Sequence, residues 1–406
     1  MNSKLLGGAL ALVICACAVF YWSRTSEQRE GSAQSSDFVR KWEIDLGAPI
    51  SAALALADDG TLYAANEHGA LSAISPSGSV QWTFTSAAPI IAAPVVGADG
   101  AIYISDQDQM IHAVNHTGTE RWSAGGGPYA NKYSAWRAGA IDDNYFYTPW
   151  RGVMRAFRLT VGQLGVVSIG MGFSNEGTAA ITPTGLLVYA GAGRVDAGDS
   201  SGRTIWQYPP IVPPLTTDYL LKNGGRAPVG NFLLDSGIAM GRTSLYAGAH
   251  GSSLVAISFS GTLQWEFKVP GPVTIRATPV IAEDGTIYLG CDNGSLFAFD
   301  PSGSQKWTMH AGNAVSTTPV LAQDGTIYVL AEDRLAAISP DGKLLSKLDL
   351  PGGRAAATLA PDGTLYVPLR TGKIIAFATS HGPLHSSSPW PKFQHDAANT
   401  GRALPI

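Results

Sequence analysis

Apolar runs and turn-forming residues alternate most regularly in one stretch of the chain, from Thr278 to Trp307. Its short apolar runs are Thr278–Ala282, Thr286–Gly290 and Leu296–Phe299. Asp284-Gly285 and Asn293-Gly294 separate these runs. Such dipeptides are strong hairpin signals because glycine adopts a positive φ at no steric cost. With a fourth run around Trp307, the stretch predicts a four-stranded antiparallel meander of about forty residues, the repeat length of a propeller blade.

The second strand of this unit recurs along the whole chain. Each copy is a turn followed by an apolar run that ends in tyrosine. The eight tyrosines are Tyr63, Tyr103, Tyr147, Tyr189, Tyr246, Tyr288, Tyr328 and Tyr366. The repetition therefore predicts eight blades.

Tryptophan marks the fourth strand of most blades, at Trp42, Trp82, Trp122, Trp206, Trp265 and Trp307. Ser346 falls where a seventh tryptophan would be, and Val166 or Val167 lies near the remaining place. Trp42 precedes the inner strands of the first blade, whereas the last inner strands, Ala355–Phe377, have no tryptophan strand after them. The simplest closure lets Lys41–Asp45 supply the outer strand of the last blade, which leaves no open sheet edge. The fold class is thus all-β: an eight-bladed β-propeller of four-stranded antiparallel blades, closed by an N-terminal strand.

The chain divides into four parts: a signal anchor or signal peptide (1–22), a flexible linker (23–38), the propeller (39–380) and a C-terminal tail (381–406). Leu5–Trp22 carries no charge and is just long enough to cross a bilayer. An uncleaved anchor, a lipoprotein with its lipid on Cys17 and a cleaved signal peptide all remain open. Each of the three predicts export, to the periplasmic or extracytoplasmic side of the cell envelope.

Composition narrows the class of protein further. The 47 glycines and 25 prolines suit an all-β chain with many turns. Charged residues make up only 14% and the net charge is −4, so no basic surface indicates nucleic acid binding. Beyond the hydrophobic N-terminus only Cys291 remains, which excludes an intrachain disulfide or a cysteine metal cluster there.

Three stretches share one pattern, in which an alanine comes first, a glycine sits in the turn and a tryptophan comes last. They are Ala73–Trp82, Ala113–Trp122 and Ala298–Trp307. This pattern resembles the PQQ-like repeat of quinoprotein-dehydrogenase propellers, and the resemblance covers residues 40–380. It implies that each of the six tryptophans docks on the neighbouring blade. The tail, from Ser388 to Arg402, also resembles the ends of related propellers and predicts a packed strap in which Trp390 and Phe393 cover part of the ring.

For enzymes of this fold, the resemblance implies a quinone cofactor (PQQ), a calcium ion with acidic and amide ligands, an aspartate base and commonly a disulfide between adjacent cysteines. Adjacent cysteines are absent from the sequence. Asp106–Gln109 is the nearest match to an acidic metal loop, but it lacks the glycine and closing glutamate of a calcium loop and is interpreted as a solvated turn. His381, His385 and His395 are interpreted as residues of a mobile, exposed tail. We therefore assign no catalytic residue, metal ligand or cofactor.

Two functions from different classes remain. The first is an exported, membrane-tethered, non-catalytic scaffold that binds a protein or a cell-envelope polymer. It is similar in architecture to the propeller lipoproteins that assist outer-membrane β-barrel assembly. The alternative is a reduced PQQ-dependent dehydrogenase with calcium. The missing cysteines and calcium ligands favour the scaffold.

Strand polarity predicts one working face. In a four-stranded meander, the links between blades lie on the face opposite the Asp-Gly turns. The longest links are Ser123–Trp136, Ser168–Gly177 and Pro209–Asp235, consecutive around blades two to five. The aromatic and arginine residues on or near them form the candidate binding face: Tyr129, Tyr133, Trp136, Arg137, Trp150, Arg151, Phe173, Tyr219 and Arg226. Such side chains are typical of binding hot spots, although they could instead pack the links against the ring.

Overall fold

A computed structural model describes residues 37–125, 139–150, 153–161, 164–169, 178–191, 194–209, 236–249 and 252–403, with backbone alone at 149–150, 153, 164–169, 191 and 194. The described residues form eight four-stranded antiparallel sheets and no helix. Each sheet is one blade, and the blades are numbered here in chain order.

The first strand of the chain is β1 (Val39–Asp45). Blade one contains β2 (Ala55–Leu56), β3 (Leu62–Ala65), β4 (Ala70–Ile74) and β5 (Val80–Thr85), and blade two contains β6 (Val95–Val96), β7 (Ile102–Ser105), β8 (Met110–Val114) and β9 (Glu120–Gly125). Blade three contains β10 (Ala140–Ile141), β11 (Tyr145–Trp150), β12 (Val153–Arg158) and β13 (Leu164–Ile169), and blade four contains β14 (Thr178–Ile181), β15 (Leu187–Gly191), β16 (Arg194–Gly198) and β17 (Thr204–Tyr208). Blade five contains β18 (Ala239–Met240), β19 (Ser244–Ala249), β20 (Ser253–Ser258) and β21 (Leu263–Lys268), and blade six contains β22 (Val280–Ile281), β23 (Ile287–Gly290), β24 (Ser295–Phe299) and β25 (Gln305–His310). Blade seven contains β26 (Val320–Leu321), β27 (Ile327–Leu330), β28 (Arg334–Ile338) and β29 (Leu344–Asp349), and blade eight contains β30 (Thr358–Leu359), β31 (Thr364–Pro368) and β32 (Lys373–Ala378).

The last blade is completed by the beginning of the chain. Its strand order is β1-β32-β31-β30, and β1 pairs antiparallel with β32 from Val39 opposite Ala378 to Asp45 opposite Lys373. The predicted eight blades and the predicted N-terminal closing strand are therefore confirmed. This pairing covers the edge of β32, which would otherwise be the open outer edge of a three-stranded last blade.

Burial follows the position of a strand within its blade. Second strands such as β3 and β23 are buried at every residue, because neighbouring blades cover both of their faces. Fourth strands such as β5 and β25 alternate exposed and half-buried residues, because one of their faces meets solvent. The turn aspartates act as the sequence predicts. The Asp284 carboxylate, for example, accepts the Thr286 backbone N–H at 2.8 Å while Gly285 has φ of +85°.

The fourth-strand tryptophans reach from their own blade to the next one. Each of five indole N–H groups donates to a backbone carbonyl of the following blade: Trp42 to Pro76, Trp82 to His116, Trp122 to Leu159, Trp265 to Pro301 and Trp307 to Pro340, at 2.7–3.0 Å. Five indole rings cover a positive-φ glycine of that blade: Trp42 on Gly78, Trp82 on Gly118, Trp206 on Gly261, Trp265 on Gly303 and Trp307 on Gly342. A Cβ on any of these glycines would lie 2.6–2.8 Å from the ring.

The same contact closes the ring. Trp42 belongs to β1 and so to blade eight, and it docks on Pro76 and Gly78 of blade one. Its own ring lies 5.5 Å from that of Tyr366 in β31. In blade seven, Ser346 pairs with Ala337 in the register where Trp307 pairs with Ala298, so Ser346 occupies the tryptophan position there.

The C-terminal tail lies across the ends of the first strands. The last residue of six first strands donates its backbone N–H to a tail carbonyl: Leu56 to Ala397, Val96 to Ala398, Ile141 to Thr400, Ile181 to Gly401, Ile281 to Trp390 and Leu321 to Pro391. Trp390 is fully buried against the core between blades four and six. The packed strap is confirmed. The interpretation of a mobile, exposed tail is wrong, since His385 and His395 are buried and His381 Nδ1 lies 2.7 Å from Asp324.

A buried lysine holds the tail in this conformation. Lys392 is fully buried, and its Nζ donates to the backbone carbonyls of Phe393 and Asp396 at 3.0 and 2.9 Å and to Asn399 Oδ1. The ammonium form thus has one acceptor for each of its three donors. Burial lowers the pKa of Lys392 to about 7, and the Asp396 charge partly opposes this shift. Asn399 in turn donates to the carbonyls of Leu54 and Pro94, which ties the lysine to blades one and two.

The closing contact predicts an unequal pair of glycine substitutions. Gly78→Ala and Gly185→Ala both force alanine into a left-handed backbone, at φ of +88° and +80°, which costs about 1–2 kcal/mol. Only at Gly78 does the new Cβ also meet the Trp42 ring, at 2.7 Å, whereas nothing lies within 4 Å at Gly185. We expect Gly78→Ala to lose about 1–3 kcal/mol more than Gly185→Ala, measured by thermal and urea unfolding. Equal losses would contradict a closing role for the Trp42 contact.

The buried lysine predicts a particular pH dependence. In the unfolded chain the amine of Lys392 has its ordinary pKa of about 10.4, whereas in the folded protein its pKa is about 7. Between pH 7 and 9 the unfolded state therefore binds more protons than the folded state. The unfolding free energy of the wild type should therefore rise with pH, by up to about 1.4 kcal/mol per unit, relative to Lys392→Met. Lys347→Met, at an exposed lysine of β29, should leave the slope unchanged. Parallel pH profiles of the unfolding free energy for the wild type and Lys392→Met would contradict this prediction, because they would show that the three oxygen acceptors keep Lys392 charged over the whole range.

Candidate functional site

The central channel opens on one face of the ring as a cavity of about 590 Å³. Its lining comes from the segments that lead into the first strands of blades one, two, six, seven and eight, with Glu332 from blade seven and Phe393 from the tail. The lining residues are Ser51, Ala52, Ala53, Ile91, Arg276, Thr278, Ser316, Thr317, Thr318, Glu332, Arg354, Ala355, Ala356 and Phe393. The volume is in the range of small-ligand sites, and the small side chains of the wall leave it open.

The tail forms the floor of this cavity. Phe393 packs against Ala53, Ala93 and Ala356, one alanine from each of three first-strand segments. The neighbouring Gln394 donates its side-chain amide to the carbonyls of Gly139 and Ala179, at 2.9 and 3.3 Å. The channel is therefore blind at this end, because a buried segment of the same chain crosses it.

In the five blades where it is described, one equivalent position forms the rim. It lies four residues before the first strand begins, and the structure places Ser51, Ile91, Arg276, Ser316 and Arg354 there in blades one, two, six, seven and eight. The two arginines therefore stand on either side of Ser316 in blade seven. Both arginines are exposed, and so is Glu332.

The charged groups at the rim differ in their partners. Arg276 forms an ion pair with Asp292, with Nη1 and Oδ2 separated by 2.6 Å. Glu332 and Arg370 lie 3.5 Å apart. Arg354 has no hydrogen-bonding or ion-pair partner among the described residues. The described rim thus carries one positive charge that no neighbouring carboxylate compensates.

The donor atoms of this cavity differ from those implied for a quinone and calcium. The described lining offers hydroxyl groups, two guanidinium groups and a single carboxylate, that of Glu332, rather than several acidic and amide oxygens. Within the described ranges, no three His, Cys, Asp or Glu side chains come together as a metal site would require. The described residues therefore do not fit that cofactor.

The Asp106 loop is a buried structural cluster and not the solvated turn that its sequence indicates. Ser86 donates to Asp106 Oδ2, and His112 Nε2 lies 3.3 Å from Ser86 Oγ and 3.4 Å from Asp106 Oδ2. His112 Nδ1 lies 2.7 Å from Glu120 Oε1. Burial alone would lower the pKa of His112, but its bonds to Asp106 and Glu120 outweigh burial and raise it. The Ser86 hydroxyl proton is directed to a carboxylate and both ring nitrogens of His112 face carboxylates, so this arrangement favours the protonated imidazolium over a neutral ring that could act as a general base.

The candidate binding face predicted from the sequence lies outside the described residues, at Tyr129, Tyr133, Trp136, Arg137, Arg151, Phe173, Tyr219 and Arg226. Trp150 ends β11, but its side chain also lies outside the description. Cys17 and the apolar N-terminal segment are likewise outside it. Among the residues that are described, no helix has the length and apolar character needed to span a membrane.

Sequence reasoning missed the rim residues Arg276, Arg354 and Glu332. The sequence contains part of the pattern that would have identified them, because Arg276 and Arg354 occupy the same place in their repeats, four residues ahead of a first strand. That place faces the axis only after the ring has closed, so the repeat alone does not distinguish it from other loop positions.

Several solved structures share the fold at low sequence identity. BamB from Moraxella catarrhalis is 16% identical with a TM-score of 0.65, over 84% of this chain and 99% of that chain. Quinohemoprotein alcohol dehydrogenase from Comamonas testosteroni is 12% identical with a TM-score of 0.65, over 84% of this chain and 76% of that chain. The computationally designed Ika8 protein is 13% identical with a TM-score of 0.66, over 85% of this chain and all of that chain. No curated protein sequence matches significantly.

The family comparison is more specific. Residues 33–183 and 191–357 match the family model described as outer membrane protein assembly factor BamB, a PQQ-like repeat propeller family. The two matched ranges cover most of the chain and include all or part of every blade. The chain therefore belongs to the BamB family of eight-bladed propellers.

Proposed function

We propose that this protein is a non-catalytic scaffold of the cell envelope that binds a protein partner during outer-membrane protein assembly. The observation that carries the proposal is the family match over residues 33–183 and 191–357. The closed ring and the buried tail support it, because together they provide a rigid platform on which binding loops can be displayed.

The proposal includes a location and a docking face. The apolar segment Leu5–Trp22, or a lipid on Cys17, would hold the propeller on the outer side of the inner membrane. The partner would dock on the links between blades two and five. The described strands that flank them, such as β9 and β10, end and begin on the face of the open cavity.

The quinone-dependent dehydrogenase remains the alternative because one solved neighbour with this fold is a quinohemoprotein. Fold alone does not decide between the two, since one propeller architecture carries many functions. The hydroxyl-rich cavity lining with its single carboxylate supports the scaffold.

Adding PQQ and calcium to the purified protein separates the two functions. We expect no bound-cofactor absorbance after gel filtration and no dye reduction with alcohols, because the described cavity lacks a set of acidic and amide ligands. Stoichiometric uptake of the quinone together with dye reduction would overturn the scaffold proposal.

A second experiment tests the tether and the partner together. We expect the full chain to stay with membranes through a high-salt wash and to recover an envelope protein after crosslinking.

Trp136→Ala, Trp150→Ala and Arg151→Ala should each reduce partner recovery at least about fivefold, as hot-spot residues do, with an unchanged melting temperature. Arg203→Ala, at an exposed arginine in the turn before β17, is the matched control. Undiminished recovery with all three variants would contradict the docking face, and release by salt would contradict the tether.

A further inference from the structure

We infer that the central cavity binds an acidic segment of polypeptide, and that Arg354 is the residue that pairs with its carboxylate. The inference rests on the proposed scaffold function, because that function makes the partner a protein. It concerns blades six to eight, whereas the predicted docking links belong to blades two to five.

The rim supplies the charge that selects the ligand. Arg276 and Arg354 stand at equivalent positions of blades six and eight, on either side of Ser316. A guanidinium group matches a carboxylate with two parallel hydrogen bonds, which is why arginine is common where carboxylates are recognised. Two guanidinium groups that border the same opening therefore favour an anionic ligand over a neutral or cationic one.

The other charged residues at the rim already form ion pairs, so a ligand carboxylate adds the most electrostatic stabilisation at Arg354. Arg276 already contacts Asp292, and the rim carboxylate of Glu332 already faces Arg370. Within the described part of the chain, Arg354 has no such partner. An incoming carboxylate can pair with Arg354 without displacing a resident one, so its Coulomb attraction is not offset by a broken ion pair.

The interior suits the end of a polypeptide or a single side chain of it. Its walls combine alanines with the hydroxyl groups of Thr317 and Thr318, which are already engaged by the carbonyl of Leu330 at 2.6 Å and the N–H of Thr278 at 3.2 Å. The walls are therefore small and polar, and these two hydroxyl oxygens already have a hydrogen-bond partner within the protein. Phe393 closes the far end, so a chain end or a single side chain can enter while the rest of the segment stays at the rim.

The test is calorimetric titration with a short peptide rich in aspartate and glutamate, set against the same peptide with asparagine and glutamine in their place. We expect the acidic peptide alone to bind, and its affinity to fall with salt. Arg354→Gln should weaken binding about tenfold or more, the loss of about 1.4 kcal/mol of charge-assisted pairing. Arg242→Gln makes the same charge change at an exposed arginine beside the Glu283 carbonyl, in the Asp-Gly turn region of the opposite face, and should change affinity less than twofold.

Two further variants separate the cavity from surface charge in general. Ser316→Trp fills the mouth without changing charge and should also weaken binding, whereas Arg354→Lys should retain part of it. Arg354 is exposed, so its variants should melt at the wild-type temperature. Three outcomes would each overturn the inference. The first is equal binding of both peptides, and the second is wild-type affinity in Arg354→Gln or Ser316→Trp. The third is polygalacturonate binding that depends on these same residues while peptide binding does not. Failure of the wild type to bind the acidic peptide, while it still recovers an envelope partner, would overturn the cavity site and leave the scaffold function standing.

Discussion

The contact between a tryptophan of one blade and a glycine turn of the next is the interaction on which this ring depends. Five of the six indole rings lie on a glycine where an added Cβ would meet the ring, and four of these five indole N–H groups donate to a carbonyl of that same turn. A blade has no stable alternative for its apolar faces, because only a neighbouring blade can cover them. Trp42 makes the same contact between the last blade and the first, so one type of contact both joins the blades and closes the ring.

The tail adds a second, independent tie. Its carbonyls accept hydrogen bonds from the ends of six first strands, so residues near the axis of six different blades share one covering segment. Lys392 organises that segment from within, as a fully buried amine surrounded by three oxygen acceptors. Burying a charged group is costly unless it is fully hydrogen-bonded, which explains why the lysine, Asn399 and the backbone form a closed set.

These two ties together decide what the channel can do. A ring of eight blades leaves an axial opening, and the tail turns that opening into a blind cavity with Phe393 at its base. The described walls are mostly alanine, serine and threonine, while the charges are restricted to the rim. Such a cavity can accept a segment of a partner, and its described lining contains one carboxylate, that of Glu332, and no set of metal ligands. This agrees with the scaffold proposed for a member of the BamB family.

The blades, their number and the closing strand could be predicted from the sequence because each depends on contiguous residues. Asp-Gly turns, short continuous apolar runs and a tryptophan at a regular spacing specify a meander locally, and an unmatched Trp42 strand at the start implies closure. The packed tail strap could be predicted by resemblance, but the burial of its residues His385, His395 and Lys392, and that of Asp106, could not, because these polar residues are covered by residues that are distant in sequence or on another strand. The same is true of Arg276 and Arg354, which belong to separate repeats and border one cavity only in the closed ring. The sequence by itself thus determined the repeating unit and its closure, whereas the site was decided by the tertiary structure, because only the closed ring brings equivalent residues of separate blades, such as Arg276 and Arg354, to one cavity.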